Sequence, residues 1–589
     1  MDPPAMNGTS KASAFTSLFR RGGRGSKHKY SPLGHNGEAS GEGEASGIQT
    51  QLLPDGSTAD NESLDEESQL QQRKPRGLLY RLVWGDPNKI FVKLIMLILM
   101  IPLFSYLAAA SLRVLSPQPV SCDSPELGYQ CDQKTTHTWG QYSPFFSVPS
   151  EISPAVPDGC RLTFAQVLSR HGARFPTPGK AAAISAVLTK IKTSATWYGS
   201  DFQFIKNYDY VLGVDHLTAF GEQEMVNSGI KFYQRYSSLI QTEDPDTLPF
   251  VRASGQERVI ASAENFTTGF YSALSADKNP PSSLPRPEMV IISEEPTANN
   301  TMHHGLCRAF EDSTTGDLAQ AEFIAATFPP ITARLNAQGF KGVTLSNTDV
   351  LSLMDLCPFD TVAYPLSSLT TTSSVSGGGK LSPFCSLFTA SDWTIYDYLQ
   401  SLGKYYGFGP GNSLAATQGV GYVNELIARL TRTPVVDHTT TNSTLDGDEK
   451  TFPLNRTVYA DFSHDNDMMN ILTALRIFEH ISPMDNTTIP TNYGQTGDDG
   501  VKERDLFKVS WAVPFAGRVY FEKMVCDADG DGKIDSDEAQ KELVRILVND
   551  RVMRLNGCDD DEEGRCGLEK FVESMEFARR GGEWEKCFV

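Results

Sequence analysis

The stretch that decides the fold class of this chain is Arg170-His171-Gly172-Ala173-Arg174-Phe175-Pro176. It places an imidazole between two guanidinium groups, beside a glycine that lets the backbone approach an anion closely. The mostly apolar residues 162–168 precede it and have the length of a buried strand. Because loops at the carboxyl ends of strands commonly carry ligand sites in α/β proteins, the stretch predicts an α/β fold with an anion site on this loop.

The residue types in this loop suit the chemistry of phosphate esters. The anionic oxygens of a phosphomonoester repel a nucleophile, so a catalyst must neutralise them while holding the attacking atom in line. Arg170 and Arg174 can each grip two phosphate oxygens, and a neutral His171 can attack phosphorus to form a phosphohistidine. A solvated basic turn is the alternative interpretation, which the complete seven-residue pattern disfavours.

A second candidate element is Tyr459-Ala460-Asp461-Phe462-Ser463-His464-Asp465-Asn466, which reads as a strand followed by a helix. The helix is predicted from apolar residues at helical spacing, namely Met468, Ile471, Leu472, Leu475 and Phe478. His464 and Asp465 then lie at its amino end, where anions are attracted. There His464 can bind a phosphate oxygen, and a protonated Asp465 can protonate the leaving oxygen and later act as a base toward water.

These two motifs, in this order, resemble those of the histidine acid phosphatases. Further segments are similar to the fungal phytases of the 3-phytase type, namely residues 220–223, 227–236, 424–430, 547–552 and 577–579, and the similarity spans residues 122–589. The resemblance implies a histidine-phosphatase-like α/β fold, of the phosphoglycerate-mutase type, with a smaller mainly helical domain. It also implies a set of site residues: His171 as nucleophile, Asp465 as proton donor, and Arg170, Arg174, His464 and a further arginine as phosphate ligands. We assign the further arginine to Arg258, with Arg252 as the alternative.

The resemblance implies a hydrolase for phytate, myo-inositol hexakisphosphate, or related esters at acidic pH, with no cofactor required for catalysis. Fungal phytases tend to carry several lysines after the first motif, whereas here Lys180 is followed by three alanines. A broad-specificity acid phosphatase is therefore the alternative among enzymes. A catalytically inactive, calcium-stabilised surface protein is the alternative outside enzymes. The expected partner is a phosphorylated small molecule, and no nucleic-acid partner is expected. The formal net charge of -20 does not decide the substrate, since the field at the cleft counts more than the total.

The amino-terminal part of the chain predicts a membrane anchor. Residues 1–76 have the composition of a disordered tail, residues 77–93 form a basic juxtamembrane segment, and the uncharged residues 94–112 are long enough to span a bilayer. The excess of positive charge before the span predicts a cytoplasmic tail, which places residues 113–589 in the lumen or outside the cell. The alternative is a signal peptide cleaved near the small residues 108–111, which would yield a secreted protein.

All ten cysteines follow the apolar span, and their even number predicts disulfides in an exported domain. The resemblance implies the pairs Cys122–Cys131, Cys160–Cys526, Cys307–Cys587, Cys357–Cys385 and Cys558–Cys566. Glycosylation acceptors are also present in this part of the chain, at Asn265, Asn299, Asn442, Asn455 and Asn486.

Residues 527–538 match the loop of an EF-hand. The expected calcium ligands are Asp527, Asp529, Asp531, Lys533 through its carbonyl, Asp535 and Glu538. Residues 519–526 look like a strand rather than an entering helix, and an acidic surface insert is the alternative; bound calcium would be structural. The adjacent His303 and His304 show no further ligands in the sequence, which favours polar surface.

Overall fold

A mixed β-sheet carries both motifs. The computed structural model describes residues 132–278, 286, 288–363, 381–493, 506–526, 541–558 and 561–589. Its strands are β1 (Cys160–Arg170), β2 (Trp197–Tyr198), β3 (Phe250–Ser254), β4 (Val290–Ile292), β5 (Phe340–Lys341), β6 (Val458–Ser463), β7 (Arg518–Cys526), β8 (Glu542–Val548), β9 (Arg551–Val552) and β10 (Cys566–Gly567). The main sheet has the order β10-β8-β7-β1-β6-β3-β4, with β9 paired to β8. Strands β2 and β5 form a separate two-stranded sheet.

The direction of the strands brings the functional loops together. Strands β1, β6, β3 and β4 are mutually parallel, whereas β7 and β8 run antiparallel to their neighbours. The carboxyl ends of the four parallel strands therefore meet at one edge of the sheet. The segments that follow these ends contain the first motif, His464 and Asp465 at the start of a helix, Arg258 in the first turn of the helix Glu257–Lys278, and Glu294.

The central strands β1, β6, β3 and β7 are buried along most or all of their length, because helices cover the sheet on each side. Along β1, Phe164 and Leu168 enter one hydrophobic core, and Ala165 and Val167 enter the other. The longer helices span Pro178–Ser194, Ala219–Tyr236, Glu257–Lys278, Thr315–Thr327, Pro329–Gln338, Asn347–Ala363, Ala390–Phe408, Ala415–Thr431, Asp465–Ala474 and Leu568–Ser574. Single helical turns lie at Gln133–Thr136, Arg308–Glu311, Ser443–Asp446, Val509–Ala512 and Glu576–Arg579.

One face of the sheet packs against the helices Ala219–Tyr236 and Glu257–Lys278, and the other packs against Ala415–Thr431 and Asp465–Ala474. Among the described residues between 178 and 408, five further long helices are present, and whether they form the smaller domain that the resemblance implies stays a prediction. These helices share the larger core with the sheet. The α/β prediction is confirmed, but the helix of the second motif is shorter than its apolar spacing indicates. It ends at Ala474, and the left-handed backbone of Arg476, with φ 61°, turns the chain away.

Four of the expected disulfides are present, namely Cys160–Cys526, Cys307–Cys587, Cys357–Cys385 and Cys558–Cys566. The first joins the start of β1 to the end of β7, strands that are neighbours in the sheet. Because β7 runs from Arg518 to Cys526, the segment before the acidic loop is a strand, as the sequence indicates. These bonds tie distant parts of the chain to one core.

Several predictions concern residues outside the described ranges. They are the tail 1–76, the juxtamembrane segment 77–93, the membrane span 94–112, the Cys122–Cys131 pair and the calcium loop 527–538 with all six of its ligands. Within the described ranges, every helix is too short or too polar to cross a bilayer. These expectations remain predictions.

Candidate active site

The two motifs form one site at the carboxyl edge of the parallel strands. The rings of His171 and His464 lie with their centroids 5.5 Å apart. The Nη2 atom of Arg170 lies 3.4 Å from Oδ2 of Asp465. Strands β1 and β6 are adjacent and parallel, and the last pair in their register is Arg170 with Ser463. The adjacency of these strands therefore brings together segments that are far apart in the sequence.

His171 is held in one tautomer with one reactive nitrogen. Its ring is fully buried, and Nδ1 lies 2.8 Å from the carbonyl oxygen of Gly172. Since a carbonyl only accepts, Nδ1 carries the proton and Nε2 carries the lone pair. Nε2 makes no hydrogen bond within the described ranges. Burial, followed by the charges of Arg258, Arg170 and Arg174, holds the pKa of His171 well below its ordinary value, so the imidazole is neutral and nucleophilic.

Backbone contacts fix the loop that carries His171. The amide of Gly172 donates to Oγ of Ser262 at 3.1 Å, and the amide of Ala173 donates to Oε2 of Glu224 at 2.9 Å. A Cβ atom on Gly172 would lie 2.3 Å from the carbonyl oxygen of Gly221, so only glycine fits this approach to the helix Ala219–Tyr236. Burial raises the pKa of Glu224 to about 7, although the hydrogen bonds that it accepts from the amides of Phe145 and Ala173 act in the opposite direction.

Three arginines, Arg170, Arg174 and Arg258, place positive charge near His171, and each has a buried donor without a hydrogen bond to a described residue. Arg170 is fully buried, and its Nη1 donates to the carbonyl oxygens of Gln141 and Val513. The Nε and Nη2 atoms of Arg170 and the Nε atoms of Arg174 and Arg258 are buried without a hydrogen bond to any described residue. Burial lowers the pKa of both Arg170 and Arg258 to about 10, which leaves them charged at acidic and neutral pH. Buried donors usually find a partner in the protein, in ordered water or in a ligand.

Arg252 and Arg258 have different surroundings. Arg252 donates to Oδ1 of Asp461 at 2.9 Å and to Oε2 of Glu425 at 2.7 Å, in a buried network that also pairs Arg429 with Asp461 at 2.7 Å. The positive charge of Arg252 is therefore balanced by buried carboxylates. The nearest carboxylate to Arg258 in the described chain is Asp215, at 3.7 Å. This contrast favours Arg258, our assignment from the sequence, over the alternative Arg252.

Asp465 lies between two cations. Its Oδ2 atom is 3.4 Å from Arg170 Nη2 and 2.7 Å from the Nζ atom of Lys404. Burial would raise the pKa of Asp465, but Arg170 and then Lys404 outweigh burial and hold it well below its ordinary value. The carboxyl group is therefore ionised when only protein groups face it. Donation of a proton requires the charge balance to change.

His464 uses one nitrogen within the protein and keeps the other. It is the N-cap residue of the helix Asp465–Ala474, and its Nε2 lies 2.9 Å from Oε1 of Glu294. Its Nδ1 is buried and without a hydrogen bond in the part of the chain that the structure describes. Burial opposes ionisation of Glu294, but the hydrogen bond and charge of His464 lower its pKa to about 2. Glu294 thus orients the ring, and Nδ1 keeps its hydrogen-bonding capacity.

Sequence reasoning missed Lys404, Glu294, Glu224 and Ser262. None lies in either motif, and each reaches the site through tertiary packing: Lys404 from the helix Ala390–Phe408, and Glu294 from just beyond β4. Glu294 follows a strand, and that position is the one signal that favoured it. No local pattern distinguishes Lys404 from other lysines on a helix.

A cavity of about 290 Å³ borders the site, and Gln141, Tyr142, Lys180, His304, Gln320 and Lys404 are among its lining residues. Its cations have carboxylate partners: Lys180 with Asp355 at 2.6 Å, and His304 with Glu311 at 2.7 Å. A larger cavity, of about 630 Å³, is lined by residues such as Trp511 and Met553 but by none from either motif. The smaller cavity is therefore the better candidate for the body of a substrate.

The fold and the similarity of this chain to known proteins define a phosphomonoester hydrolase of the histidine acid phosphatase class. The chain belongs to the Histidine phosphatase superfamily (branch 2), whose sequence profile matches residues 161–549. It is 82% identical over 509 residues to Phytase A of Neurospora crassa, covering 84% of this chain and 100% of that protein. It is 49% identical over 470 residues to Phytase A of Aspergillus fumigatus, covering 80% of this chain and 94% of that protein.

Solved structures resemble the fold. The phytase from D. castellii matches with a TM-score of 0.59 and 22% identity, covering 77% of this chain and 87% of that chain. The multiple inositol polyphosphate phosphatase of Bifidobacterium longum, in complex with inositol hexasulfate, matches with a TM-score of 0.52 and 14% identity, covering 74% of this chain and 97% of that chain. At these identities the likeness concerns the fold alone.

Proposed function

We propose that the protein removes phosphate groups from phytate at acidic pH through a phosphohistidine on His171. The observation that carries the proposal is the lone pair on Nε2 of a neutral, buried imidazole, surrounded by arginine donors that no described group satisfies. The high identity to two fungal proteins named Phytase A supports the substrate.

In the first step, Nε2 of His171 attacks phosphorus and the bond from phosphorus to the ester oxygen breaks. Arg170, Arg174, Arg258 and Nδ1 of His464 bind the equatorial oxygens and neutralise their charge. The hydrogen bond from Nδ1 of His171 to Gly172 stabilises the imidazole as it becomes positive. The departing alkoxide receives a proton from Asp465, because an alkoxide is a poor leaving group.

The low pKa of Asp465 is compatible with this role only when substrate is bound. A phosphate dianion competes for Arg170 and Lys404, and its own charge disfavours a second anion nearby. Both effects raise the pKa of Asp465 in the complex. The acidic pH range follows, because the donor must be protonated before the ester bond breaks.

In the second step, Asp465, now ionised, takes a proton from a water molecule. The water oxygen attacks phosphorus, the bond from phosphorus to Nε2 breaks, and inorganic phosphate leaves. His171 returns to its neutral state, so the cycle consumes one water molecule and one ester bond. These roles need no cofactor, which stays a proposal.

The test is to trap the intermediate. Wild type and the variant Asp465→Asn are mixed with radiolabelled p-nitrophenyl phosphate and denatured in alkali, because phosphohistidine is labile in acid. We expect label on the peptide that contains His171, in greater amount in Asp465→Asn because its second step lacks a base. His171→Ala should carry no label and release no phosphate. Label at another residue, or unchanged turnover in His171→Ala, would refute the mechanism and favour an inactive binding protein.

A broad-specificity acid phosphatase is the second candidate. It is favoured by the cavity beside the site, where Lys180 and His304 are each paired with a carboxylate and little positive charge remains for a substrate with many phosphates. Comparing kcat/KM for phytate with that for p-nitrophenyl phosphate separates the two. A preference for the aryl ester across the acidic range would favour the second candidate.

We further propose that the catalytic domain is exported, as a type II membrane protein anchored by residues 94–112 or as a secreted form after cleavage. The four disulfides support an oxidising compartment. Of the five glycosylation acceptors, Asn455 is exposed in the fold. Carbonate extraction of membranes tests the anchor, because a secreted form would leave the pellet.

Calcium in the loop of residues 527–538 stays a proposal with a structural role. In the sequence, this loop lies between β7 and β8 and begins directly after Cys526, which forms a disulfide with Cys160. Bound calcium would stabilise the native state by mass action. A melting temperature that does not change with millimolar calcium, together with calorimetry that shows no heat of binding, would contradict it.

A further inference from the structure

Three residues beside the phosphate site form a cluster of metal-ligand type. Glu294, His303 and His464 each offer one ligand atom, and these atoms lie within 4.8 Å of one another. They come from three separate segments: the loop after β4, the turn before the Arg308–Glu311 helix, and the N-cap of the helix Asp465–Ala474. The first motif contributes no residue to this cluster.

The two histidines of the cluster differ in how their nitrogens are engaged by the protein. Nδ1 of His303 is buried and makes no hydrogen bond to a described residue; the nearest carboxylate oxygen, on Asp467, is 4.0 Å away. The ring of His464 is more than nine-tenths buried, and its Nε2 already lies 2.9 Å from Glu294. Glu294 is itself oriented, because it accepts from Oγ of Ser254 at 2.6 Å and from the amide of Gln256 at 3.2 Å.

The neighbouring His304 shows why the cluster is specific. Its Nδ1 lies 2.7 Å from Glu311, and its ring lies 5.6 Å from the ring of Phe310. The His304 ring is thus held toward Glu311 and Phe310, and His304 is not among the three residues whose ligand atoms lie within 4.8 Å of one another. Of this adjacent pair, His303 is therefore the one suited to coordinate a metal.

We propose that Glu294, His303 and His464 bind a divalent transition metal ion of the zinc type. Two imidazoles and one carboxylate are a ligand set that zinc uses in proteins, at about 2.0–2.2 Å from each ligand atom, with a fourth position left for water. The three ligand atoms lie within 4.8 Å of one another, so they must move closer together to hold one ion at these metal–ligand lengths. The side chains of Glu294 and His303 are 16% and 30% exposed, so an ion can enter from solvent.

The site would link metal binding to catalysis, because His464 belongs to both. A metal on Nε2 replaces the hydrogen bond to Glu294 and holds the ring as a neutral ligand. Coordination pulls the ring toward the metal, which moves Nδ1 away from the position where it would donate to a phosphate oxygen. Zinc should therefore inhibit hydrolysis. This part rests on the proposed role of His464, whereas binding of the metal does not.

The experiment measures binding and inhibition separately. The full-length protein is stripped with chelator and titrated calorimetrically with zinc near neutral pH, with millimolar calcium present to saturate sites made only of oxygen ligands. We expect one zinc site that is weakened at least about tenfold in His303→Ala, since removing a ligand costs no less than removing an outer partner. The matched control His304→Ala should bind zinc like wild type.

Inhibition is measured with p-nitrophenyl phosphate, which does not chelate zinc as phytate does. Zinc should inhibit wild type and His304→Ala, and His303→Ala should require at least about ten times more zinc for the same inhibition. Melting temperature verifies that each variant is folded, and inhibition is expressed relative to the metal-free turnover of the same variant. Zinc binding that is absent in wild type, or equal in wild type and His303→Ala, would overturn the site. Binding without inhibition would leave the site and refute its link to His464.

Discussion

Replacing Lys404 with methionine removes one of the two cations that face Asp465. The Nζ atom of Lys404 lies 2.7 Å from Oδ2 of Asp465, and the side chain of Lys404 is about nine-tenths buried. Methionine keeps an unbranched apolar stem against Phe408, whose ring centroid lies 5.0 Å from Nζ. The change therefore removes charge with little loss of packing.

The sign follows from linkage. Lys404 favours the ionised form of Asp465, so its removal raises the pKa of this carboxyl group. The proposed proton donor is active when protonated, so activity should persist to higher pH. A charge at this distance shifts a carboxyl pKa by about 1–3 units. Because Arg170 remains and substrate shares the field, we expect about 1–2 units, or about 1.4–2.7 kcal/mol.

The assay is the pH dependence of kcat, which reports groups in the enzyme–substrate complex. Two substrates separate the chemistry: glycerol 2-phosphate, whose alkoxide needs a proton, and p-nitrophenyl phosphate, whose leaving group does not. The alkaline limb should move upward with the alkyl ester in Lys404→Met. It should move little with the aryl ester.

The control variant is Lys180→Met, which lies in the same cavity but pairs with Asp355 at 2.6 Å. Its alkaline limb should match wild type. An unmoved limb in Lys404→Met with the alkyl ester, or the same shift with both esters, would show that Asp465 is not the donor or that Lys404 does not control its pKa.

The remaining predictions concern Arg258, Arg252 and Gly172. Arg258→Ala should lower kcat/KM by about 10²–10³ with an unchanged melting temperature, because it removes a phosphate donor. Arg252→Ala should instead destabilise the protein by about 3–5 kcal/mol in denaturant unfolding, because it leaves Asp461 and its neighbours with less positive charge in a buried network. Equal stability of the two variants would contradict this division. Gly172→Ala should lower kcat about 10²-fold by displacing the loop against Gly221; full activity would show that the loop adapts.

Much of the fold follows from local sequence. Residues 162–168 read as a buried strand and lie within β1, and residues 519–526 read as a strand and lie within β7. The two candidate motifs are recognisable in the sequence because each contains several chemically distinctive residues within one short segment. The four disulfides within the described ranges follow the family resemblance. Local spacing overestimated the helix after Asp465, because a left-handed residue that ends a helix leaves no apolar signal.

What the sequence by itself determined is the chemistry available: an imidazole, arginines and a carboxyl group on loops after strands. Only the tertiary structure decided how these groups are used. It distinguishes Arg258 from Arg252, because the charge of Arg252 faces buried carboxylates. It also places a carbonyl oxygen beside Nδ1 of His171, which fixes the tautomer, and it places Lys404 beside Asp465. The reason is physical: charge, tautomer and pKa depend on atoms within a few ångströms, and parallel strands draw those atoms from distant parts of the chain.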